Sequence, residues 1–411
     1  MQTEMTEATR LTRAGRLMEA TTLIQRTLAG QSATHIVEAE RSRADAPIEA
    51  VFRVLDDSSP STETPKEDVA HTHRTGKPAT SGRAGARRML FPDAQVPNAM
   101  PNVIEAMPSV ISNAEASSVH TGGQFVEKTY TNTVGTRSYK LYIPSGYTGQ
   151  AVPLVVMLHG CTQTSVNFAT GTRMNMLAEN QTFLVAYPEQ GTPANSSKCW
   201  NWFQESDQHR NAGEPSLIAG ITQQIMSMYS VDARRVYIAG LSSGGAMAAI
   251  MAASYPDLYA AVGVHSGLAY GAAHDLSSAF MAMKQGKRQH IRQLTEVIPL
   301  IAFHGDCDTT VTPANVDGLL DQWSQGANNG NSVHRPVRDV KVERGQVANG
   351  HTYTRSIYYD SNGRTFIEKW IVHQAGHAWS GGSPNGSYTN LKGPDASAEM
   401  MRFFNEHPRK G

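Results

Sequence analysis

Residues 236–247 read Val-Tyr-Ile-Ala-Gly240-Leu-Ser242-Ser-Gly244-Gly-Ala-Met, a G-x-S-x-G pattern. A buried apolar strand precedes the pattern and a helix of small residues follows, the context that lifts one serine out on a sharp turn. Glycine is needed on both sides because the turn is tight and a side chain would crowd the serine. The positive end of the following helix favours negative charge developing on the serine oxygen. Ser243 is the rival hydroxyl, but it stands at the wrong position of the pattern, and its backbone N–H has a different task.

A serine attacks a carbonyl only with a base beside it and a group that orients the base. In this type of chain the order is serine, then acid, then histidine. The apolar run Pro299–Phe303 is followed by His304-Gly-Asp306-Cys-Asp308-Thr-Thr-Val311. Asp308, at the loop tip, is the preferred acid. Asp306 competes with it and is otherwise expected to brace the turn. Of the 15 histidines, those after Asp308 obey the order. His334 and His351 lie in polar connecting segments, His373 ends a strand and His407 is in the tail. His377 lies in Gln374-Ala-Gly-His377-Ala-Trp-Ser-Gly-Gly382, a glycine-rich loop that lets an imidazole swing over the serine. The expected triad is Ser242, Asp308 and His377.

Acyl transfer also needs two backbone N–H groups aimed at the carbonyl oxygen as it becomes negative. One belongs to Ser243, directly after the nucleophile. The other belongs to the loop after the third strand, Leu158-His159-Gly160-Cys161, with Cys161 as donor and Gly160 allowing close approach. His159 is expected to be buried and to brace this loop.

These loops need a scaffold, and the apolar pattern supplies one. Pro153–His159, Phe183–Tyr187, Arg235–Ala239, Ala261–Val264 and Pro299–Phe303 are short apolar runs of the kind buried on both faces of a parallel sheet. Helical patterns at Leu217–Tyr229, Gly245–Ser254 and Ala314–Gln325 lie between or beside them. The alternation predicts an α/β fold with crossover helices. An alternating pair at Phe125–Asn132 and Arg137–Ile143 precedes the sheet. A hairpin over Thr352–Tyr359 and Thr365–Val372 and a helix from Asp395 to Phe404 follow it.

Composition narrows the function. Lys+Arg and Asp+Glu are 36 each, so the excess positive charge of a nucleic-acid partner is missing. No stretch approaches the roughly 18 uncharged apolar residues of a membrane span. Three cysteines make no disulfide scaffold and no CxxC pair. Residues 1–30 carry charges throughout, without the apolar run of an export signal, and Leu11, Leu17, Met18, Ile24 and Leu28 recur mostly at helical spacing. An amphipathic helix is expected there, serving as a docking segment or as an anchor on a hydrophobic particle or membrane surface, in a cytoplasmic protein, with secretion as the alternative. Residues 31–118 are rich in Pro, Ser, Ala and Arg and are expected to form a disordered linker. The catalytic domain is expected over 119–411.

Taken together, His-Gly-Cys161, Cys199-Trp-Asn-Trp-Phe203, Gly-Leu-Ser242-Ser-Gly-Gly-Ala-Met, His265-Ser-Gly-Leu-Ala-Tyr-Gly-Ala, His-Gly-Asp-x-Asp308 and Gly-His377-Ala-Trp-Ser-Gly-Gly resemble the poly(3-hydroxybutyrate) depolymerase family of esterases. The resemblance covers about Thr121 to His407 and implies an α/β-hydrolase fold, with kinship to feruloyl and acetylxylan esterases. It implies hydrolysis of short 3-hydroxyacid polyesters or their oligomers, with no metal or organic cofactor. Feruloyl or acetyl esters of carbohydrates are the alternative substrates, and a catalytically silent granule-binding protein is the alternative from another class. The family further implies that Trp200, Trp202 and Trp379 line the substrate groove, a core role for one of the first two being the competing assignment. It also suggests that Cys161 and Cys199 pair beside the oxyanion loop; in a reducing compartment both would be thiols. Cys307 is expected to be a packed free thiol. The layout resembles the intracellular members, with granule association through the leading helix.

A chain shortened to begin at Ser118 is therefore expected to hydrolyse soluble p-nitrophenyl esters at close to the full-length rate, and to act more slowly on amorphous polymer granules. Rates on both substrates check this, and equal loss on both would place the removed segment inside the catalytic fold.

Overall fold

Four strands of the main sheet have every residue buried: β3 (Val152–Leu158), β4 (Leu184–Pro188), β6 (Ala261–His265) and β7 (Leu300–Gly305). They are the apolar runs of the sequence, and in this computed structural model, which describes residues 122–286, 292–326 and 336–410, they form the middle of one sheet. The helix expected at 1–30 and the linker expected at 31–118 lie outside the described residues. With β1 (Gln124–Asn132), β2 (Gly135–Ile143), β5 (Val231–Leu241), β8 (Pro336–Gln346), β9 (Thr352–Asp360) and β10 (Thr365–Val372) the sheet has ten strands, in the order β1-β2-β4-β3-β5-β6-β7-β10-β9-β8.

The stretch from β4 through β10 is parallel. The flanking strands β1, β2, β9 and β8 are antiparallel. Side chains alternate across the pleat, so each interior strand feeds two cores. One core holds Leu154, Val156, Leu158, Ile238 and Val264 under helices α3 (Gly213–Met228), α4 (Ser243–Ser254), α5 (Leu276–Gln285) and α6 (Ala314–Gly326). The other holds Val155, Met157, Tyr237 and Phe303 under α1 (Ser165–Thr172), α2 (Met174–Gln181) and α7 (Ala396–Glu406). Among the described residues no helix is long and apolar enough to cross a membrane.

The expected strands and helices of the described residues are present, and β8 and three helices join them, with a 3₁₀ turn at Glu205–Asp207 and a separate two-stranded sheet of Trp379–Ser380 and Thr389–Asn390. β8 is written Pro-Val-Arg-Asp-Val-Lys-Val-Glu-Arg-Gly-Gln, without an apolar run; as an edge strand it pairs on one side only, with β9. Ion pairs of Glu343 with Lys341 and Arg355 line it instead of an apolar core. The three helices are the short or mixed α1, α2 and α5, of which α1 and α5 have side-chain caps. α1 is capped by Thr164 and α5 by an Asp275–Ser278 capping box.

β10 is central for function because the histidine loop leaves its end. Its buried Glu368 accepts from Arg355 (2.7 and 3.0 Å), from Arg402 of α7 (2.7 Å) and from Trp370 Nε1 (3.1 Å). One carboxylate thus joins β9, β10 and α7. Glu368→Ala leaves two arginines without their shared anion and is expected to cost about 3 kcal/mol of stability, read from the urea midpoint at unchanged slope.

Candidate active site

The strand β5 ends at Leu241 and α4 begins at Ser243, so Ser242 is the single residue of the turn between them. Its backbone has φ 58° and ψ −120°, a conformation that costs a non-glycine residue on the order of 1–3 kcal/mol. The surrounding glycines explain how the turn is tolerated. A Cβ on Gly244 would lie 2.1 Å from the Leu158 carbonyl oxygen, and one on Gly240 would lie 2.3 Å from the Gly244 backbone. The start of α4 can therefore touch β3 and β5 only as bare backbone. The Ser242 amide donates to the His265 carbonyl (2.9 Å) and the Ser242 carbonyl accepts from Ala246 (2.9 Å). Ser243 is buried, and its hydroxyl oxygen has no hydrogen-bond partner; the rival serine has no base.

The loop after β3 abuts this turn. A Cβ on Gly160 would stand 3.5 Å from Ser242 Cβ and 3.4 Å from the Leu241 carbonyl oxygen. His159 is fully buried. Its Nδ1–H donates to the Gly160 carbonyl (2.8 Å), while its Nε2 accepts the Gln190 amide (3.0 Å), so the ring is neutral. Burial disfavours the charged form in the same sense. The amides beside Cys161 are engaged within the loop region: Gly160 with Gln163 Oε1 (2.9 Å) and Thr162 with the Ser197 carbonyl (2.7 Å). Cys161 and Cys199 are joined in a disulfide, which ties the loop to the segment that follows β4.

Behind that segment lies a polar cluster with no sequence signature. Glu214, in the first turn of α3, accepts from the Asn201 amide (2.8 Å), from Asn201 Nδ2 (2.9 Å) and from Gln190 Nε2. Burial and the nearby Asp207 push Glu214 up to about 7, against the pull of Arg137. Gln190 in turn holds the Cys199 carbonyl (2.9 Å) and, through its amide, His159. Scattered single Asn, Gln and Glu residues carry no pattern that would have marked them.

The acid and the histidine meet as the chain order implies. Asp308 Oδ2 lies 2.7 Å from His377 Nδ1, and Oδ1 accepts the amides of Thr310 (2.9 Å) and Val311 (2.8 Å). His304 Nε2 stands 3.4 Å from Oδ2 while hydrogen-bonding to the Val311 carbonyl (2.8 Å). Burial would raise the Asp308 pKa, but the hydrogen bonds from His304 and His377 outweigh it and hold the carboxyl far below its usual range. Asp308 is thus an anion at any ordinary pH. With Nδ1–H given to Asp308, Nε2 is the His377 nitrogen able to take a proton.

The other candidates are engaged elsewhere. Asp306 accepts the Gln374 amide (2.6 Å) and pairs with His373 Nδ1 (2.8 Å). It braces the histidine segment rather than its own turn, which Asp308 closes itself. His351 bonds Asn390 Nδ2 and His407 bonds the Phe403 carbonyl; His334 lies outside the described residues.

Two expectations are corrected. Trp200, Trp202 and Trp379 are buried scaffold, not groove walls. Trp200 Nε1 donates to the His159 carbonyl (3.1 Å), Trp202 meets Phe203 edge-on, and Trp379 Nε1 donates to Ser397 Oγ (3.1 Å). An indole whose N–H is satisfied inside the fold packs best with both faces covered. Cys307 is exposed rather than packed: β7 has ended, and its backbone amide donates to the Ala375 carbonyl (3.0 Å).

The sheet order and a strained serine between a parallel strand and a helix, with acid and histidine after later strands, define an α/β-hydrolase fold. Residues 137–333 match the family described as esterase PHB depolymerase. It is 32 % identical over 281 residues to poly(3-hydroxyalkanoate) depolymerase C of Paucimonas lemoignei, covering 65 % of this chain and 64 % of that protein. It is also 32 % identical over 211 residues to a probable acetylxylan esterase A of Neosartorya fischeri, covering 47 % and 56 %. These matches span less than two thirds of either relative's length. The acetyl xylan esterase structure from Aspergillus awamori shares the fold, with a TM-score of 0.53 at 21 % identity over 68 % of this chain and 99 % of that one.

Asp308→Asn is expected to lose far more esterase activity than Asp306→Asn, because an amide facing Nδ1 favours the wrong imidazole tautomer, an effect of about 10⁴ in a comparable triad. Steady-state rates of the two variants decide it; greater damage in the 306 variant reverses the assignment.

Proposed function

We propose that this protein is a serine carboxylic-ester hydrolase that acts on short-chain polyhydroxyalkanoate or its oligomers. The observation that carries the chemistry is the Asp308–His377 hydrogen bond of 2.7 Å, in a fold that sets a strained serine at the end of β5. Ser242 Oγ attacks the ester carbonyl as His377 Nε2 takes its proton, and Asp308 steadies the imidazolium that results. The amides of Cys161 and Ser243 receive the developing oxyanion; losing one such donor costs roughly 10²–10³ in rate. His377 then protonates the departing alcohol, leaving an acyl group on Ser242 that water removes by the same steps in reverse.

The substrate class rests on similarity. The match to the polyhydroxyalkanoate depolymerase extends over 65 % of this chain, against 47 % for the acetylxylan esterase. The polyester relation therefore reaches further along the catalytic domain. Esters of carbohydrates are the second reading, supported by the identity to the acetylxylan esterase. Granule association through residues 1–30 belongs to the same proposal.

Purified protein is expected to hydrolyse p-nitrophenyl butyrate and amorphous poly(3-hydroxybutyrate) faster than methyl ferulate or acetylated xylan. Ser242→Ala is expected to lose several orders of magnitude on every substrate while keeping its unfolding transition. Near-wild-type activity in that variant, with a fluorophosphonate label on another residue, would falsify the nucleophile. Preference for acetylated xylan would move the protein to the second substrate class.

A further inference from the structure

His265 ends β6, and the chemistry proposed above assigns it no step. Its main chain and its ring nevertheless meet the carriers of all three reacting groups. The carbonyl accepts the amide of Ser242 at 2.9 Å. The ring Nε2 lies 3.0 Å from the amide of Ser380, three residues past His377. A backbone amide only donates, so Nε2 is unprotonated and the ring proton sits on Nδ1, which faces Ser266 Oγ at 3.2 Å. The ring stacks with Phe303 of the acid's strand (centroids 5.7 Å, planes 12° apart) and with Trp379 of the histidine's loop (5.2 Å, 27°). Trp379 is pinned further through Ser397, and Ser380 through the Pro394 carbonyl.

On its near side the His377 loop is held by the acid's loop. The Asp306 and Cys307 amides donate to the carbonyls of Val372 and Ala375, and Asp306 Oδ1 receives the Gln374 amide. On its far side the loop is held at Ser380, by His265. His377 is suspended between these two anchors.

We propose that His265 is a positioning residue, which sets the placement of the His377 loop against the Ser242 turn by offering the turn its carbonyl and the loop its unprotonated Nε2. The proposal rests on Ser242 and His377 being the reacting pair. The ring's surroundings keep that acceptor available. Burial, with repulsion from His304 and His377, outweighs the attraction of Asp308 and pushes His265 down to about 3. A proton on Nε2 would set two donors against each other and release Ser380. A displacement of about 1 Å in a reacting group costs roughly 10²-fold in rate, which is the size of effect a slack loop would have.

His265→Phe keeps a ring for Phe303 and Trp379 but removes the acceptor, whereas His265→Gln returns an acceptor oxygen near the place of Nε2. Reactive serines are counted with a fluorophosphonate, so that kcat refers to labelled sites and not to folded fraction. The Phe variant is expected to lose about 10- to 100-fold in kcat per labelled serine, with KM for p-nitrophenyl butyrate little changed, and the Gln variant to recover most of that loss. Wild-type kcat per labelled serine in the Phe variant overturns the proposal, as does a Gln variant no better than Phe. Should neither variant fold, nitrogen NMR of the wild-type ring decides: an unprotonated Nε2 across about pH 5 to 8 supports the role, and a ring that titrates there or carries its proton on Nε2 overturns it. A wild-type label on a residue other than Ser242 removes the functional reading and this proposal with it. A label on Ser242 with an unaffected Phe variant removes this proposal alone.

Discussion

The contact between the start of α4 and the end of β3 governs the rest of the structure. Gly244 lies so close to the Leu158 carbonyl that a Cβ would stand 2.1 Å from the oxygen, inside any permitted contact. That approach aims the helix at the sheet edge, forces Ser242 to φ 58° and brings the loop after β3 beside the serine. The strain at Ser242 is offset by the surrounding packing, since α4 is almost wholly buried from Ser243 to Ala252. A turn that must stay strained needs a core that over-determines it, and the two-sided parallel sheet supplies that core.

The acid–histidine pair depends on a different economy of hydrogen bonds. Asp308 closes its own loop by accepting two backbone amides and still presents an oxygen to His377. A carboxylate with this many donors stays ionised and cannot rotate, so the imidazole it holds has one tautomer and one orientation. Asp306, two residues earlier, ties the same two loops together from outside. The pair of aspartates thus divides the work: one orients the ring and the other fixes the chain that carries it.

Around the loop after β3 the support is deeper and more polar. His159, Gln190, Asn201 and Glu214 form a buried relay of hydrogen bonds that ends on the Gly160 and Cys199 carbonyls and on Asn201. The disulfide between Cys161 and Cys199 closes the same unit covalently. Trp200 packs beneath it, its N–H on the His159 carbonyl. The aromatic block around Asn201 therefore shapes the site from below, as foundation for the loop rather than as a surface for substrate.

The sequence by itself determined the architecture and singled out the candidate reacting residues. Mostly apolar runs of five to seven residues, buried throughout, can be satisfied only between two layers of helices, and G-x-S-x-G after such a run fits one kind of turn. Chain order then reduced the histidines to a few and the acids to two. Local pattern could only favour Asp308 over Asp306, because both sit in one short loop; what separates them is the histidine each one meets. Nor could it tell a groove tryptophan from a buried one, since burial depends on what the rest of the chain lays over the ring. The edge strand β8, with charges where an apolar face was sought, became legible only through its partner β9. His265 and Glu214 belong to the same class: their roles consist of contacts with residues 115 and 13 positions away, and such contacts exist only once the chain has folded.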